Sequence, residues 1–327
     1  MTNVAVTCRV TGEERDAMVG ILGGVATVVF VTELSPQDRA KELARADVLI
    51  SWSPGRELQA EEFTRVGRLR MVQLLSAGAD HIPFSSLPSD LVIASNVGAY
   101  ADSMAEHALA MILAVIKNLL DRHEKLRNGT FDQSSVNRML RGCSCAILGF
   151  GGIGRATARL LRCFGVRIYG INTSGKTDEQ IEFIGTLMDL EYVLRIADII
   201  LIALPLTNST RGLLGDRELS WIKDDGILVN VARGDIIDEG ALYRKLKSNP
   251  RFTAAIDAWW IEPLRHGEFR VNYPFLSLPN FLGSPHNSAI SAGSALGASR
   301  RAAENVKRFL NHELVTGIVK AADYESK

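Results

Sequence analysis

Short apolar runs alternate with longer polar stretches of helical period along most of the chain, and the pattern changes character near residues 101 and 142. Over the first hundred residues the apolar runs are Val4–Thr7, Thr27–Phe30, Asp47–Ser51, Met71–Leu75 and Leu91–Ala94, each of strand length. Between them, Ser35-Pro36-Gln37-Asp38 places an N-cap, a proline at the first helical position and an acid in the first turn. Strands and helices in alternation predict a small parallel α/β lobe. Near residue 101 the strands stop. Ser103-Met104-Ala105-Glu106 has capping-box spacing and opens an apolar helical pattern, predicting one inter-lobe helix over 102–127. From Gly142 a second series starts, with strands at Cys145–Leu148, Arg167–Gly170, Ile199–Leu204, Ile227–Val231, Thr253–Ile256 and Phe281–Gly283. Six strands with helices between them predict a doubly wound domain. The Ala-rich stretch Ser291–Leu310 is helical in pattern, and its own residues do not say which lobe it packs on.

Composition narrows the partners. A chain of 327 residues with 46% hydrophobic content supplies enough apolar surface for two cores. Its 37 basic and 37 acidic residues cancel and are spread along the chain, so no electrostatic footprint for nucleic acid or anionic membrane exists and a small-molecule partner is expected. The longest apolar stretch, Ala108–Ile116, falls short of the ~20 residues needed to cross a bilayer. The N-terminus turns charged at Arg9, Glu13 and Glu14, unlike an export signal. Cys8, Cys145 and Cys163 lie in or beside apolar elements, and Cys143-Ser144-Cys145 has no metal-site spacing. Buried thiols, no metal and a cytoplasmic, reducing location are expected.

The most specific chemistry is Gly149-Phe150-Gly151-Gly152-Ile153-Gly154, directly after the apolar run ending at Leu148 and at the head of a helical stretch running to Cys163. Gly149 permits the tight turn, Gly151 lets a pyrophosphate approach the backbone, and Gly154 lets helix and strand pack closely, while the helix N-terminus attracts the anion. Glycines also serve ordinary turns, but the strand-turn-helix-strand setting, ending at Val166-Arg167-Ile168-Tyr169, makes this a dinucleotide site.

Three polar residues sit just past strands of the second lobe: Arg233 in Asn230-Val231-Ala232-Arg233-Gly234, Glu262 in Asp257-Ala258-Trp259-Trp260-Ile261-Glu262-Pro263, and His286 in Ser284-Pro285-His286-Asn287. Ligands of open α/β sheets bind beyond the carboxyl ends of the strands, where these side chains could converge. Taken singly, Arg233 could cap a strand end, Glu262 could be a solvated loop acid, and His286 could satisfy a buried carbonyl.

With the glycine motif, these residues resemble the D-isomer-specific 2-hydroxyacid dehydrogenase family, in particular members similar to glyoxylate and hydroxypyruvate reductases. The matching segments span most of the chain: Ser76-Ala77-Gly78-Ala79-Asp80, Ala105-Glu106-His107-Ala108, the glycine motif, Leu204-Pro205-Leu206-Thr207 with Thr210-Arg211-Gly212, Asn230–Gly234, Asp257 with Glu262-Pro263, and Pro285-His286. The resemblance implies a two-lobed α/β subunit. Its flavodoxin-like substrate lobe would take residues 1–100 and 292–327, completed by the C-terminal helix, and its doubly wound Rossmann domain would take 101–291. It also implies a homodimer built through the nucleotide domains and the inter-lobe helix.

The same resemblance implies the roles of individual residues. Arg233 would hold the carboxylate and carbonyl of a 2-oxo acid with its planar fork, and the backbone N–H groups of Ala77, Gly78 and Ala79 would bind the carboxylate as an anion nest. His286 would donate the proton as hydride reaches the carbonyl carbon, and Glu262 would orient its ring and raise its pKa. Cofactor contacts would fall on Gly149, Phe150, Gly151, Gly152, Ile153, Gly154, Asn172, Thr173, Ser174, Lys176, Leu204, Pro205, Val231, Ala232 and Asp257. NAD-specific members carry an acid after the second nucleotide-domain strand, where this chain has Asn172-Thr173-Ser174-Gly175-Lys176, which can hydrogen-bond and neutralise a 2′-phosphate. NADP(H) is therefore the expected cofactor, with NAD(H) as the alternative. Glu262 replaces the glutamine of formate dehydrogenases, and Ala77 the lysine of phosphite dehydrogenases, so neither activity is expected. Trp52, Tyr100, Trp259 and Trp260 are candidate pocket walls or core, with Trp52 taken as a substrate contact. Leu264–Tyr273 is longer than the family usually needs and is expected to leave the catalytic residues in place. A dinucleotide-sensing corepressor on the same fold is the competing class, opposed by the absence of a long tail or a basic or Pro/Ser-rich segment before Lys327.

Overall fold

The apolar runs of the first hundred residues form the parallel strands β1 (Thr2–Val6), β2 (Ala26–Phe30), β3 (Val48–Ser51), β4 (Met71–Leu74) and β5 (Val92–Ala94). They stand in the order β2-β1-β3-β4-β5 in a computed structural model that describes residues 2–59, 61–62, 68–88 and 90–324. That is the flavodoxin-like order. Both faces of this sheet are buried: Val4, Val6 and Met71 pack on one side and Leu49, Val72 and Leu74 on the other. Helix Gly12–Leu22 starts at a capping box of Thr11 and Glu14, and helix Pro36–Arg45 at Ser35, whose hydroxyl accepts from the Asp38 amide at 3.2 Å. The C-terminal stretch forms helix Ser294–Leu310, which lays Ala302, Ala303 and Val306 into the same core as Val4 and Val6. Its buried Asn305 donates to the Gln73 side chain of β4 at 2.7 Å, a pairing of two buried amides that fixes the helix in register.

The second series forms β6 (Ser144–Leu148), β7 (Arg167–Ile171), β8 (Phe183–Gly185), β9 (Ile199–Ile202), β10 (Ile227–Asn230), β11 (Thr253–Ile256) and β12 (Phe281–Gly283). The order is β12-β11-β10-β9-β6-β7-β8, all parallel, so the direction of winding reverses between β6 and β9. This is the doubly wound Rossmann arrangement with one strand added at the β12 edge. Chain contacts separate two compact units, Met1–Tyr100 with Ile290–Lys327, and Ala101–Ala289.

Four details differ from the sequence reading. The second sheet has seven strands, because the three-residue edge strand β8 escaped the pattern. The expected single helix over 102–127 is two, Ala101–Ile116 and Leu119–Arg127, bent by 56° where Asn118 takes a left-handed φ of 50°. Asparagine tolerates that conformation better than most residues. Ser103 is no cap; it lies inside the first of these helices and its hydroxyl donates to the Ser288 carbonyl at 2.8 Å. Of the cysteines, Cys8, Cys143 and Cys145 are buried, whereas Cys163 is exposed. No single helix among the described residues is long and apolar enough to cross a membrane.

Candidate active site

The glycine turn is shaped by close approaches. Gly149 has φ +101°, and a Cβ there would lie 2.5 Å from the Ala203 carbonyl carbon, while one on Gly154 would lie 2.3 Å from the Gly149 oxygen. Neither position admits a side chain. Gly151, in contrast, has nothing within 4 Å of its missing Cβ and caps helix Gly152–Cys163 with no side-chain hydrogen bond. No hydrogen bond among the described residues uses the N–H of Gly152 or Ile153 in the first turn of this twelve-residue helix, which fits a dinucleotide pyrophosphate. Phe150 is buried, its ring against the bare face of Gly170 in β7. Leu204 supplies part of the backbone that Gly149 approaches, and the Pro205 carbonyl accepts from the Thr210 hydroxyl at 2.7 Å.

Beyond β7, Asn172 folds its loop onto itself. Its Oδ1 accepts from the amides of Gly175 (2.7 Å) and Ser174 (3.1 Å), and its Nδ2 donates to the Lys176 carbonyl (2.9 Å). Asn172 therefore shapes the loop, leaving Thr173, Ser174 and Lys176 exposed on it. An arginine that sequence reasoning missed stands nearby. Arg155, in the first turns of the glycine-motif helix, pairs with Asp178 at 2.5 Å and Glu179 at 3.5 Å, just past Lys176. Its signal in the sequence was its place directly after Gly154.

The strand ends of the second sheet bring Glu262 and His286 together. His286 Nδ1 lies 2.8 and 2.9 Å from the two Glu262 carboxylate oxygens, and no described residue bonds its Nε2. Glu262 is 6% exposed and also accepts from the Trp259 amide at 2.6 Å. Burial alone would raise its carboxyl pKa, but the His286 hydrogen bond and charge, the Trp259 amide and the Arg233 charge hold it below the usual range. Arg233 ends a turn stapled by the buried Asn230, whose Nδ2 donates to the Arg233 carbonyl (2.8 Å) and whose Oδ1 accepts from the Ala232 amide (3.0 Å). The Arg233 guanidinium donates to the Ala232 carbonyl at 2.8 Å, and Val231 is fully buried beside it. Gly234 follows because a Cβ there would meet the Trp259–Trp260 peptide at 2.4–2.5 Å.

Asp257, expected to contact cofactor, is fully buried and braces the loop that carries His286. It accepts from the Ser284 hydroxyl (2.6 Å) and from the amides of Asn287 and Ser288 (both 3.2 Å), with His107 Nε2 at 3.6 Å. Burial raises its pKa, but the Ser284 bond and the charges of His107 and His286 leave it lowered. His286 itself sits at φ +51°, a strained conformation for a residue with a side chain. Trp259 and Trp260 are core rather than pocket wall, and the long stretch after Pro263 lays Phe269 edge-on against Trp259 at 5.2 Å.

In the other unit, Trp52 follows β3 and is 40% exposed, its amide donating to Glu57 at 3.1 Å and its carbonyl 2.8 Å from His81 Nε2. Tyr100 is buried 6.1 Å from the Trp52 ring and donates to the Leu75 carbonyl. After β4, no hydrogen bond among the described residues uses the N–H of Ala77, Gly78 or Ala79. The Ser76 hydroxyl donates to the Gly78 carbonyl at 2.8 Å, shaping that turn.

Residues 109–288 match the family model for the D-isomer specific 2-hydroxyacid dehydrogenase, NAD binding domain. Among similar proteins, glyoxylate reductase of Aeropyrum pernix is 30% identical over 80% of this chain and 79% of its own. D-3-phosphoglycerate dehydrogenase of Methanocaldococcus jannaschii is 28% identical over 95% of this chain, which spans only 58% of that protein's length. The fold is similar to the crystal structure of a protein from Pyrobaculum aerophilum, provisionally named a formate dehydrogenase, with a TM-score of 0.82 at 27% identity over 99% of this chain and 100% of that one.

Proposed function

The chain belongs to the D-isomer-specific 2-hydroxyacid dehydrogenase family of NAD(P)-dependent oxidoreductases, and on that premise we propose that it interconverts a small 2-oxo acid and its D-2-hydroxy acid. Glyoxylate or hydroxypyruvate is the favoured substrate and NADP(H) the favoured cofactor. The observation that carries the reaction class is the grip of both Glu262 oxygens on His286 Nδ1, with Nε2 unclaimed by any described residue. A bound nicotinamide dinucleotide supplies or takes up the hydride. His286 Nε2 gives its proton to the carbonyl oxygen as negative charge grows there, and Glu262, kept ionised, stabilises the charged ring. In the oxidative direction neutral His286 is the base. Within the nucleotide unit, Arg233 is the group suited to a 2-oxo acid by its planar fork; in the other unit, taken by itself, the amides of Ala77, Gly78 and Ala79, used by no described residue, form a nest suited to a carboxylate.

Cofactor preference rests on the Asn172 loop. The loop carries no acid from Asn172 to Lys176; Thr173, Ser174 and Lys176 are exposed there, and Arg155, paired with Asp178 and Glu179 just beyond it, is the neighbouring guanidinium. Steady-state oxidation of NADPH and NADH against glyoxylate, hydroxypyruvate, pyruvate and phenylpyruvate tests both halves. Turnover on a small acid with NADPH ahead by tenfold is expected; a tenfold preference for NADH overturns the cofactor assignment, and cofactor binding with no turnover on any acid overturns the reaction. A homodimer is supported by the large apolar side chains left exposed between residues 119 and 139, namely Leu119, Leu120, Leu126, Phe131, Val136 and Met139. A solution mass of one chain at micromolar concentration would exclude it.

A further inference from the structure

We propose that Trp259 is the positioning residue for His286, acting through two hydrogen bonds that reach both partners of the His286–Glu262 pair. The inference rests on the acid–base assignment of His286 above. The Trp259 backbone amide donates to Glu262 Oε1 at 2.6 Å, and its indole Nε1 donates to the Ser284 carbonyl at 2.7 Å, two residues before His286. One residue therefore fixes the carboxylate and the chain segment that delivers the imidazole to it.

The need for such a device follows from the backbone. His286 is held at φ +51°, and a side-chain-bearing residue stays in that region only where its surroundings over-determine it. Asp257 holds the loop through Ser284 Oγ and the amides of Asn287 and Ser288. Trp259 holds it through the Ser284 carbonyl, the one polar atom of that residue's peptide on the His286 side, so two residues of the segment after β11 grip the loop through different groups. The indole is in turn closely enclosed. It is buried, Phe269 and Phe281 pack on it with ring centres 5.2 and 5.7 Å away, and Gly283 lies so close that a Cβ there would be 2.7 Å from its Cζ2. The long stretch after Pro263 thus acquires a task, since Phe269 closes the outer edge of the Trp259 ring.

The deciding variant is Trp259→Phe, which keeps a packed aromatic ring and the backbone amide but removes the indole donor. Loss of one such hydrogen bond is expected to lower kcat for 2-oxo acid reduction about tenfold, with KM and the dissociation constant for NADPH within about twofold of the wild type. Site-specific β-(3-benzothienyl)alanine, with sulfur in place of the indole N–H and nearly the same shape, should reproduce the loss even if Trp259→Phe folds poorly. His286→Ala is measured beside them. If His286→Ala keeps wild-type turnover, the acid–base assignment fails; if it is inactive while both Trp259 replacements keep kcat within twofold, the positioning role fails.

Discussion

The two units hold out their reactive polar groups in opposite ways. In the flavodoxin-like unit, buried polar side chains are committed to protein partners: Thr7 and Ser51 donate to the half-buried Glu57, which also takes the amides of Trp52 and Ser53, and Gln73 takes Asn305. Among its described residues, the backbone amides of Ala77, Gly78 and Ala79 enter no hydrogen bond. In the nucleotide unit the loop that carries His286 has its amides at Asn287 and Ser288 tied to Asp257, and a side-chain nitrogen, His286 Nε2, is bonded by no described residue. A backbone-built site depends on the path of the chain and tolerates many side chains. A side-chain-built site depends on single residues.

The contrast breaks if the catalytic side chain proves dispensable. His286→Ala is expected to cut turnover by at least ~10² with cofactor affinity little changed, because proton donation is lost while the glycine turn is untouched; equal kcat in wild type and variant would end the assignment. The next test lies in the other unit. Ala77→Pro removes one amide donor and is expected to raise the KM for the 2-oxo acid roughly tenfold, whereas Ala77→Ser, which keeps the donor, should leave it within about threefold. Equal effects of the two substitutions would show that the side chain, not the backbone, matters there. The smallest expected effect concerns acid. Asp257 and Glu262 both have lowered pKa values in the folded chain, so their stabilisation is present above the ordinary carboxylate pKa near 4 and is lost as pH falls through their folded values. Unfolding temperature should hold from pH 7 to about 5 and fall below pH 4. Asp257→Asn should start lower at pH 7 and lose less on acidification; parallel curves for variant and wild type would exclude Asp257 as the source.

The same contrast explains what the sequence made legible. Strands β1, β4, β6 and β11 are mainly apolar runs of strand length, so pattern places them to within about two residues. Glu262 and His286 stand out because both are titratable side chains set just past strand ends, of the kinds that acid–base chemistry uses. β8 is hidden because three residues, Phe183–Gly185, hold too little period, and because a contact with Tyr192 at 5.1 Å, unreadable from spacing, anchors its Phe183. The break at Asn118 is hidden because nothing but one left-handed asparagine, with no proline or glycine, marks it. Ser103 carries a capping-box signature yet serves a tertiary bond to Ser288, a choice between local and distant partners that spacing cannot make. Trp259 reads as core, and is core, but the direction of its indole N–H is a property of the packed fold.

That bond from Ser103 to Ser288 has a consequence for the order in which the protein assembles. The flavodoxin-like unit is interrupted by the nucleotide unit, Ala101–Ala289, and is finished only when helix Ser294–Leu310 returns to cover Val4 and Val6. Bringing together two chain ends separated by roughly 190 unfolded residues costs on the order of 4–5 kcal/mol in closure entropy. The nucleotide unit is continuous in sequence, and once folded it holds Ser103 and Ser288, near its two ends, 2.8 Å apart. Folding of the inserted unit is thereby the clasp that makes the interrupted one cheap to close, and on the ribosome the later-synthesised region becomes the template that the earlier one must await.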